Sequence, residues 1–191
     1  MGARILAFAG STRGGSFNKK LIKIAAAGAS AAGAEVTLID LRDYSMPLYD
    51  GDLEASEGLP DNAHLLRRLF FTHDGLLVAC PEYNSSISGV LKNTIDWVSR
   101  PRPDEPDLAC FTGKVAAIMS ASPGNLGGLR GLVTVRSILS NIGVLVLPGQ
   151  IATPKAAEAF DADGSLKDKA RHAQVEALGR RLVEVLMKLK A

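Results

Sequence analysis

Five short apolar runs, each followed by a helical pattern, leave this chain little choice of architecture. The runs are Arg4–Ala9, Glu35–Leu41, Gly75–Cys80, Lys114–Ser120 and Gly143–Leu147. They are hydrophobic throughout rather than at alternate positions, as parallel strands covered on both faces are. Between them apolar residues recur at helical spacing in Lys19–Gly33, Asp61–Thr72, Ser88–Ser99 and Leu126–Asn141, and a last helix begins at Ser165–Asp168. Punctuation agrees with the periodicity. Pro60 and Asp61 open the second helix, Pro101 follows the third, Gly143 follows the fourth, and Ser165-Leu-Lys-Asp168 resembles a capping box. Alternation of strand and helix along the whole chain predicts one α/β domain, residues 1–191, with helices on both faces of a parallel sheet. Tyr44–Gly58 reads as an irregular surface loop and Pro101–Pro106 as a second one.

Five parallel strands in a chain this short favour the doubly wound, flavodoxin-like order 2-1-3-4-5, in which ligands bind outside the carboxyl ends of the strands. Composition removes other classes. Lys and Arg total 22 against 20 acidic residues, a net +2, and no basic cluster interleaved with aromatics suggests nucleic acid. No apolar stretch approaches the roughly 20 residues of a membrane span. The first residues enter a strand without the plan of a secretory signal, and Cys80 and Cys110 form no CxxC pair. Together these features predict a cytoplasmic protein with two reduced thiols.

Three loops of the predicted rim carry the chemistry. The first, Gly10-Ser-Thr-Arg-Gly-Gly-Ser-Phe-Asn18, lies between a buried strand and a helix N-terminus. The unpaired amides and positive dipole end of that helix, with Ser11, Thr12, Ser16 and the Arg13 guanidinium, suit a phosphate. Spacing narrows the choice. The P-loop pattern fails because Ser16 and Phe17 follow Gly15 where Lys and Ser/Thr are required. The dinucleotide GxGxxG pattern fails because Thr12 occupies the second glycine. Asp40, at the end of strand two, then reads as a strand-end turn residue, and a mononucleotide phosphate fits best. The second loop, Pro81-Glu-Tyr-Asn-Ser-Ser86, offers an aromatic ring and an amide suited to a planar heterocycle. The third, Ser120–Gly128, is a glycine-rich turn able to bring backbone amides close to the same ligand.

With these segments in view, GSTRGGSFN and PEYNSSISGVLKNTIDW resemble the two hallmark segments of the NADPH-dependent FMN reductase family, which includes bacterial quinone and chromate reductases. The segment from Ala159 to Asp168 is similar to that family's C-terminal part, so the resemblance spans nearly the whole chain. It implies that Ser11, Arg13, Ser16, Phe17 (through its backbone) and Asn18 surround an FMN phosphate. It implies that Pro81, Glu82, Tyr83 and Asn84 line the isoalloxazine, with Ser85 nearby. By a looser match it adds Ser120, Pro123 and Gly124. It further implies NADPH or NADH as donor, a small acceptor such as a quinone, free flavin or chromate, and a homodimer or homotetramer in which a neighbour helps to enclose the flavin. The helices at Ser88–Ser99 and Leu126–Asn141 are the expected interface.

Hydride transfer between stacked rings is positioning chemistry, and the flavin supplies its electronics. No catalytic acid, base, nucleophile or metal ligand is therefore expected, which agrees with the scattered positions of His64, His73 and His172. Trp97 is expected to pack its helix near the flavin or a subunit contact. Cys80 reads as a small buried apolar residue, Asp161–Gly164 as a turn, and Arg100 and Arg102 as a solvated loop or a grip for the NADPH phosphate. The competing reading is a flavodoxin-type electron carrier without NAD(P)H turnover. Such carriers are usually strongly acidic, and this chain is not.

Overall fold

A computed structural model describes residues 2–190. Five parallel strands form the central sheet: β1 (Arg4–Ala9), β2 (Glu35–Asp40), β3 (Gly75–Ala79), β6 (Val115–Ala121) and β7 (Leu145–Thr153), in the order β2-β1-β3-β6-β7. This is the flavodoxin-like 2-1-3-4-5 order. Alternate side chains of each strand feed two cores. Ile5, Ala7, Leu77, Ala117 and Met119 meet α1 (Phe17–Ala31) and α7 (Lys169–Lys190) on one face. Leu6, Phe8, Leu76, Val78 and Ile118 meet α3 (Asp61–Thr72), α4 (Gly89–Val98) and α5 (Leu129–Asn141) on the other. Both faces being covered explains why the inner strands read as unbroken apolar runs.

The alanine-rich α1 packs unusually close to α7. A Cβ on Gly28 would lie 2.2 Å from the Glu176 carbonyl oxygen, and one on Gly179 would lie 2.0 Å from that of Ala25. The two backbones touch, so glycine is required at both crossings.

Four features depart from the sequence expectations. The fifth strand does not stop at Leu147 but continues through Pro148 to Thr153. It is an edge strand, where proline is tolerated, and it bulges between the pairings Ala116↔Val146 and Ile118↔Gln150. Arg136 holds the bulge, donating to the Gln150 amide oxygen at 3.0 Å. Second, the 44–58 segment is no free loop. It contains α2 (Gly51–Glu57), capped by the Asp50 carboxylate, and it is strapped to α4. There Trp97 and Asn93 both donate to the Pro47 carbonyl, at 2.8 and 2.9 Å, and Tyr49 packs edge-on against Trp97. Trp97 is thus wholly buried beneath this strap. Third, the PEYN loop folds into a hairpin, β4 (Glu82–Tyr83) with β5 (Ser86–Ile87), turned by Asn84 and Ser85 at φ of 50° and 65°. Fourth, α5 begins at Leu129 rather than Leu126, because Gly127 and Gly128 take left-handed conformations before it. A short α6 (Ala156–Ala159) precedes α7.

Candidate functional site

Three loops leave the carboxyl ends of β1, β3 and β6 and close on one cleft. Ser11, Arg13, Ser16, Phe17 and Asn18 line it from the first loop, Pro81, Glu82 and Tyr83 from the second, and Ala121, Ser122 and Pro123 from the third. The neighbouring order β1-β3-β6 puts these strand ends side by side. Of the residues singled out in the sequence, Asn84 and Ser85 sit at the exposed hairpin tip, and Gly124 lies one turn further along the third loop. Ser120 is fully buried, with its hydroxyl tucked beneath Gly128, where a Cβ would come within 1.9 Å of it. Ala121 and Ser122 were not anticipated. Nothing in an alanine's chemistry marks it, and only its place at the strand end does.

Three hydrogen bonds fix the first loop. Gly10 donates to the Ala79 carbonyl at 2.9 Å, which pins the loop's start to β3. The buried Ser88 hydroxyl donates to the Gly10 carbonyl at 2.6 Å, and Arg42 Nε donates to the Thr12 carbonyl at 2.7 Å. Ser16 occupies the N-cap of α1, yet its hydroxyl caps no amide. Among the described residues none accepts a hydrogen bond from the amides of Ser16, Phe17 or Asn18. A free hydroxyl and free amides at a dipole's positive end, beside the exposed Arg13, are the donor set of a phosphate site. Asn18 also bridges two elements. Its side chain donates to the Ala121 carbonyl at 2.8 Å and accepts the Ala121 amide at 3.0 Å, clamping the first turn of α1 to the end of β6.

The second loop supplies flat surfaces. Tyr83 is half exposed at the hairpin, and Pro123 faces the same cleft from the third loop. Glu82 fixes the hairpin in place. One carboxylate oxygen accepts the Gly131 amide in the first turn of α5 at 3.0 Å, and the other lies 3.3 Å from Arg130 Nε. An acid at a helix N-terminus is favourably placed against the dipole. Behind the loop, Cys80 is fully buried. Burial first, and the Glu82 charge second, push its thiol up to about 12, so at neutral pH it is a thiol and no nucleophile. Among the described residues there is no group of His, Cys, Asp or Glu able to hold a metal. Nor is any helix long and apolar enough to cross a membrane.

Comparison with known proteins gives concordant findings. A family model described as NADPH-dependent FMN reductase matches residues 3–158. The chain is 40% identical over 170 residues to the NAD(P)H-dependent FMN reductase PA1204 of Pseudomonas aeruginosa, covering 88% of this chain and 87% of that one. It is 35% identical over 144 residues to a quinone reductase of Escherichia coli, covering 75% and 73%. Among solved structures it resembles FerB of Paracoccus denitrificans, a flavoenzyme NAD(P)H:(acceptor) oxidoreductase. The TM-score is 0.78 at 28% identity, with 97% of this chain and 98% of that one covered.

Proposed function

Because this chain belongs to the NADPH-dependent FMN reductase family, we propose that the three-loop cleft is its FMN site and that electrons from NAD(P)H leave it on a quinone or a similarly small oxidant. The protein is an NAD(P)H-dependent flavoenzyme, and the relatives it matches are oxidoreductases rather than electron carriers. The observation that carries the site is the set of unused donors at the start of α1, the Ser16 hydroxyl and the amides of residues 16–18, facing the cleft with Arg13. FMN held there would supply the two-electron chemistry that links NAD(P)H to the acceptor in a ping-pong sequence.

The chain's own part is positional. Ser11, Arg13, Ser16 and the α1 amides bind a monophosphate, and Tyr83 and Pro123 flank a planar ring. Glu82, locked to Arg130 and Gly131, keeps the hairpin from shifting under that ring. Asn18 keeps the first and third loops at a fixed separation. Ser120 and Gly124 support the third loop, and Asn84 and Ser85 shape the hairpin tip. The free and buried Cys80 and Cys110 suit the reducing cytoplasm.

A homodimer or homotetramer completes the site. Leu129 and Val133 are 42% and 62% exposed on α5, the helix whose Arg130 and Gly131 hold Glu82, and Leu126 is 49% exposed in the turn before it. On α4, Asn93 and Trp97 are engaged by the 44–50 strap, and the exposed positions Gly89 and Lys92 offer no apolar side chain. The exposed apolar residues of α5 therefore carry the contact.

The test is spectroscopic. Protein loaded with FMN should bleach in the visible when NADPH is added anaerobically, and recover its colour on adding a quinone. A protein that takes up no FMN, or that stays oxidised under NADPH, would falsify this reading, and the second outcome would restore the electron carrier.

A further inference from the structure

A second and larger concavity lies next to the cofactor cleft. It has a volume of about 800 Å³ and follows the solvent face of α1, between the end of β2 and the 162–165 loop before α7. At one end it reaches the first loop at Gly14 and Ser16, and Ser16 lines both cavities. Part of its wall is apolar, from Ala27 and from Leu38, which is 44% exposed although it belongs to the sheet. The rest is charged, with Lys19, Lys20, Lys23 and Arg42 opposed by Asp40, Asp43 and Asp163.

These charges are not equivalent. Lys19 lies 2.5 Å from Asp40, whose other oxygen accepts the Arg42 amide at 3.0 Å, so that acid is neutralised in place. Asp163 accepts the Ser165 amide at 2.9 Å within its own turn. Lys20 rests 5.7 Å from the Phe160 ring centre, and neither it nor Lys23 has a carboxylate partner among the described residues. Arg42 engages Thr12 through Nε alone and keeps both terminal nitrogens. The surplus is cationic and gathers beside the loop that the cofactor cleft shares.

A free carboxylate at the end of β2 would repel a phosphate group there, whereas a nearby Arg would pair with it. Here that carboxylate is paired, and an Arg stands two residues later. Arg100 is engaged within its own helix and strap. Arg100 lies over the Tyr49 ring and donates to the Asp96 carbonyl and the Tyr49 hydroxyl, and Arg102 follows it beyond α4. We propose that the α1 groove receives the adenosine 2′-phosphate end of NADPH, with Lys20, Lys23 and Arg42 on the phosphate and the Ala27–Leu38 wall on the adenine. The groove thereby makes the enzyme prefer NADPH to NADH. This inference rests on the NAD(P)H reading of the cleft.

Calorimetric titration of the FMN-loaded protein with 2′,5′-ADP and with 5′-AMP tests it. The 2′-phosphate should tighten binding by about tenfold or more, as charge-assisted contacts do. Replacing Lys20→Ala and Lys23→Ala together should abolish that difference and lower the ratio of kcat/KM for NADPH over NADH to a similar extent. Asp43→Asn, which removes an opposing charge without touching the lysines, should strengthen 2′,5′-ADP binding. Equal affinity for the two nucleotides, or discrimination that survives in the double variant, overturns the proposal. FMN content and NADH-driven bleaching of the same wild-type sample separate the two levels. If they fail, the flavoenzyme reading falls, and if they hold while the nucleotides are not distinguished, only the groove assignment does.

Discussion

Arg13 and Asn18 stand five residues apart in one motif and do unlike work. Arg13 is exposed, and its guanidinium has no partner among the described residues, whereas Asn18 is buried and makes two hydrogen bonds to Ala121. Arg13→Ala should therefore weaken FMN by about 10–100-fold, the loss of one charge-assisted contact, and leave the urea unfolding midpoint in place. Asn18→Ala should lower stability by about 1–3 kcal/mol, because the Ala121 carbonyl and amide lose their partner in a buried setting. Flavin-fluorescence titration and urea unfolding of both variants decide the matter. An Arg13 variant that binds FMN like the wild type would remove the first loop as the phosphate site. The sequence alone could not make this separation, since both side chains belong to the same resemblance. Only the placement of β6 beside β3, which brings residue 121 over residue 18, reveals the structural bond that Asn18 makes and Arg13 does not.

At the scale of elements, legibility in the inner strands followed burial. The strands β1, β3 and β6 were readable because both of their faces are covered and the code is simply apolar. The limit of β7 was not, because Pro148 and Gly149 look like a stop, and only an edge position with a bulge admits them. The hairpin of Glu82–Ile87 was hidden for a similar reason. Its turn is Asn84-Ser85, without the glycine that marks such turns, and its two-residue strands carry no periodicity. The 44–58 strap owes its order to Asn93, Trp97 and Arg100, contacts remote in sequence. The α1–α7 crossing was likewise invisible, because a helical glycine signals nothing until the opposing backbone is known. Gly179→Ala should cost about 1–3 kcal/mol, since a methyl meets the Ala25 carbonyl and the two helices must part. A variant as stable as the wild type in urea would mean that the helices are not in backbone contact.

Two properties belong to the molecule as a whole, and the first is its response to acid. His73 is buried at the amino ends of the strands. Its Nδ1 lies 2.6 Å from the Leu69 carbonyl, and Nε2 accepts the Thr37 hydroxyl at 2.8 Å. Burial lowers its pKa below 6.5, more than the Leu69 contact raises it, so the unfolded chain binds a proton first and stability declines as pH falls below about 6.5. Asp74 adds a second stage. Burial would raise its pKa, but Lys190 at 2.6 Å and the Arg4 amide at 2.8 Å outweigh that and hold it below 3.8. Its contribution is thus full above 3.8 and is lost as pH falls through its native value. Urea midpoints should drop between about pH 7.5 and 5.5, and a flat profile there would contradict the burial of neutral His73.

The second property is assembly. Leu129 and Val133 are exposed apolar residues on α5, with Leu126 exposed in the turn before it, and α5 also carries Arg130 and Gly131, which hold Glu82. A contact on α5 would bear on the helix that holds Glu82 and the hairpin, so association and cofactor retention should be coupled. Val133→Asp puts a charge among these apolar residues while leaving every hydrogen bond of the site untouched. Light scattering should then show the mass fall from that of an oligomer to that of one chain, and the monomer should release FMN faster than the wild type. A wild-type protein that is monomeric and still retains FMN would show that one chain encloses the cofactor unaided.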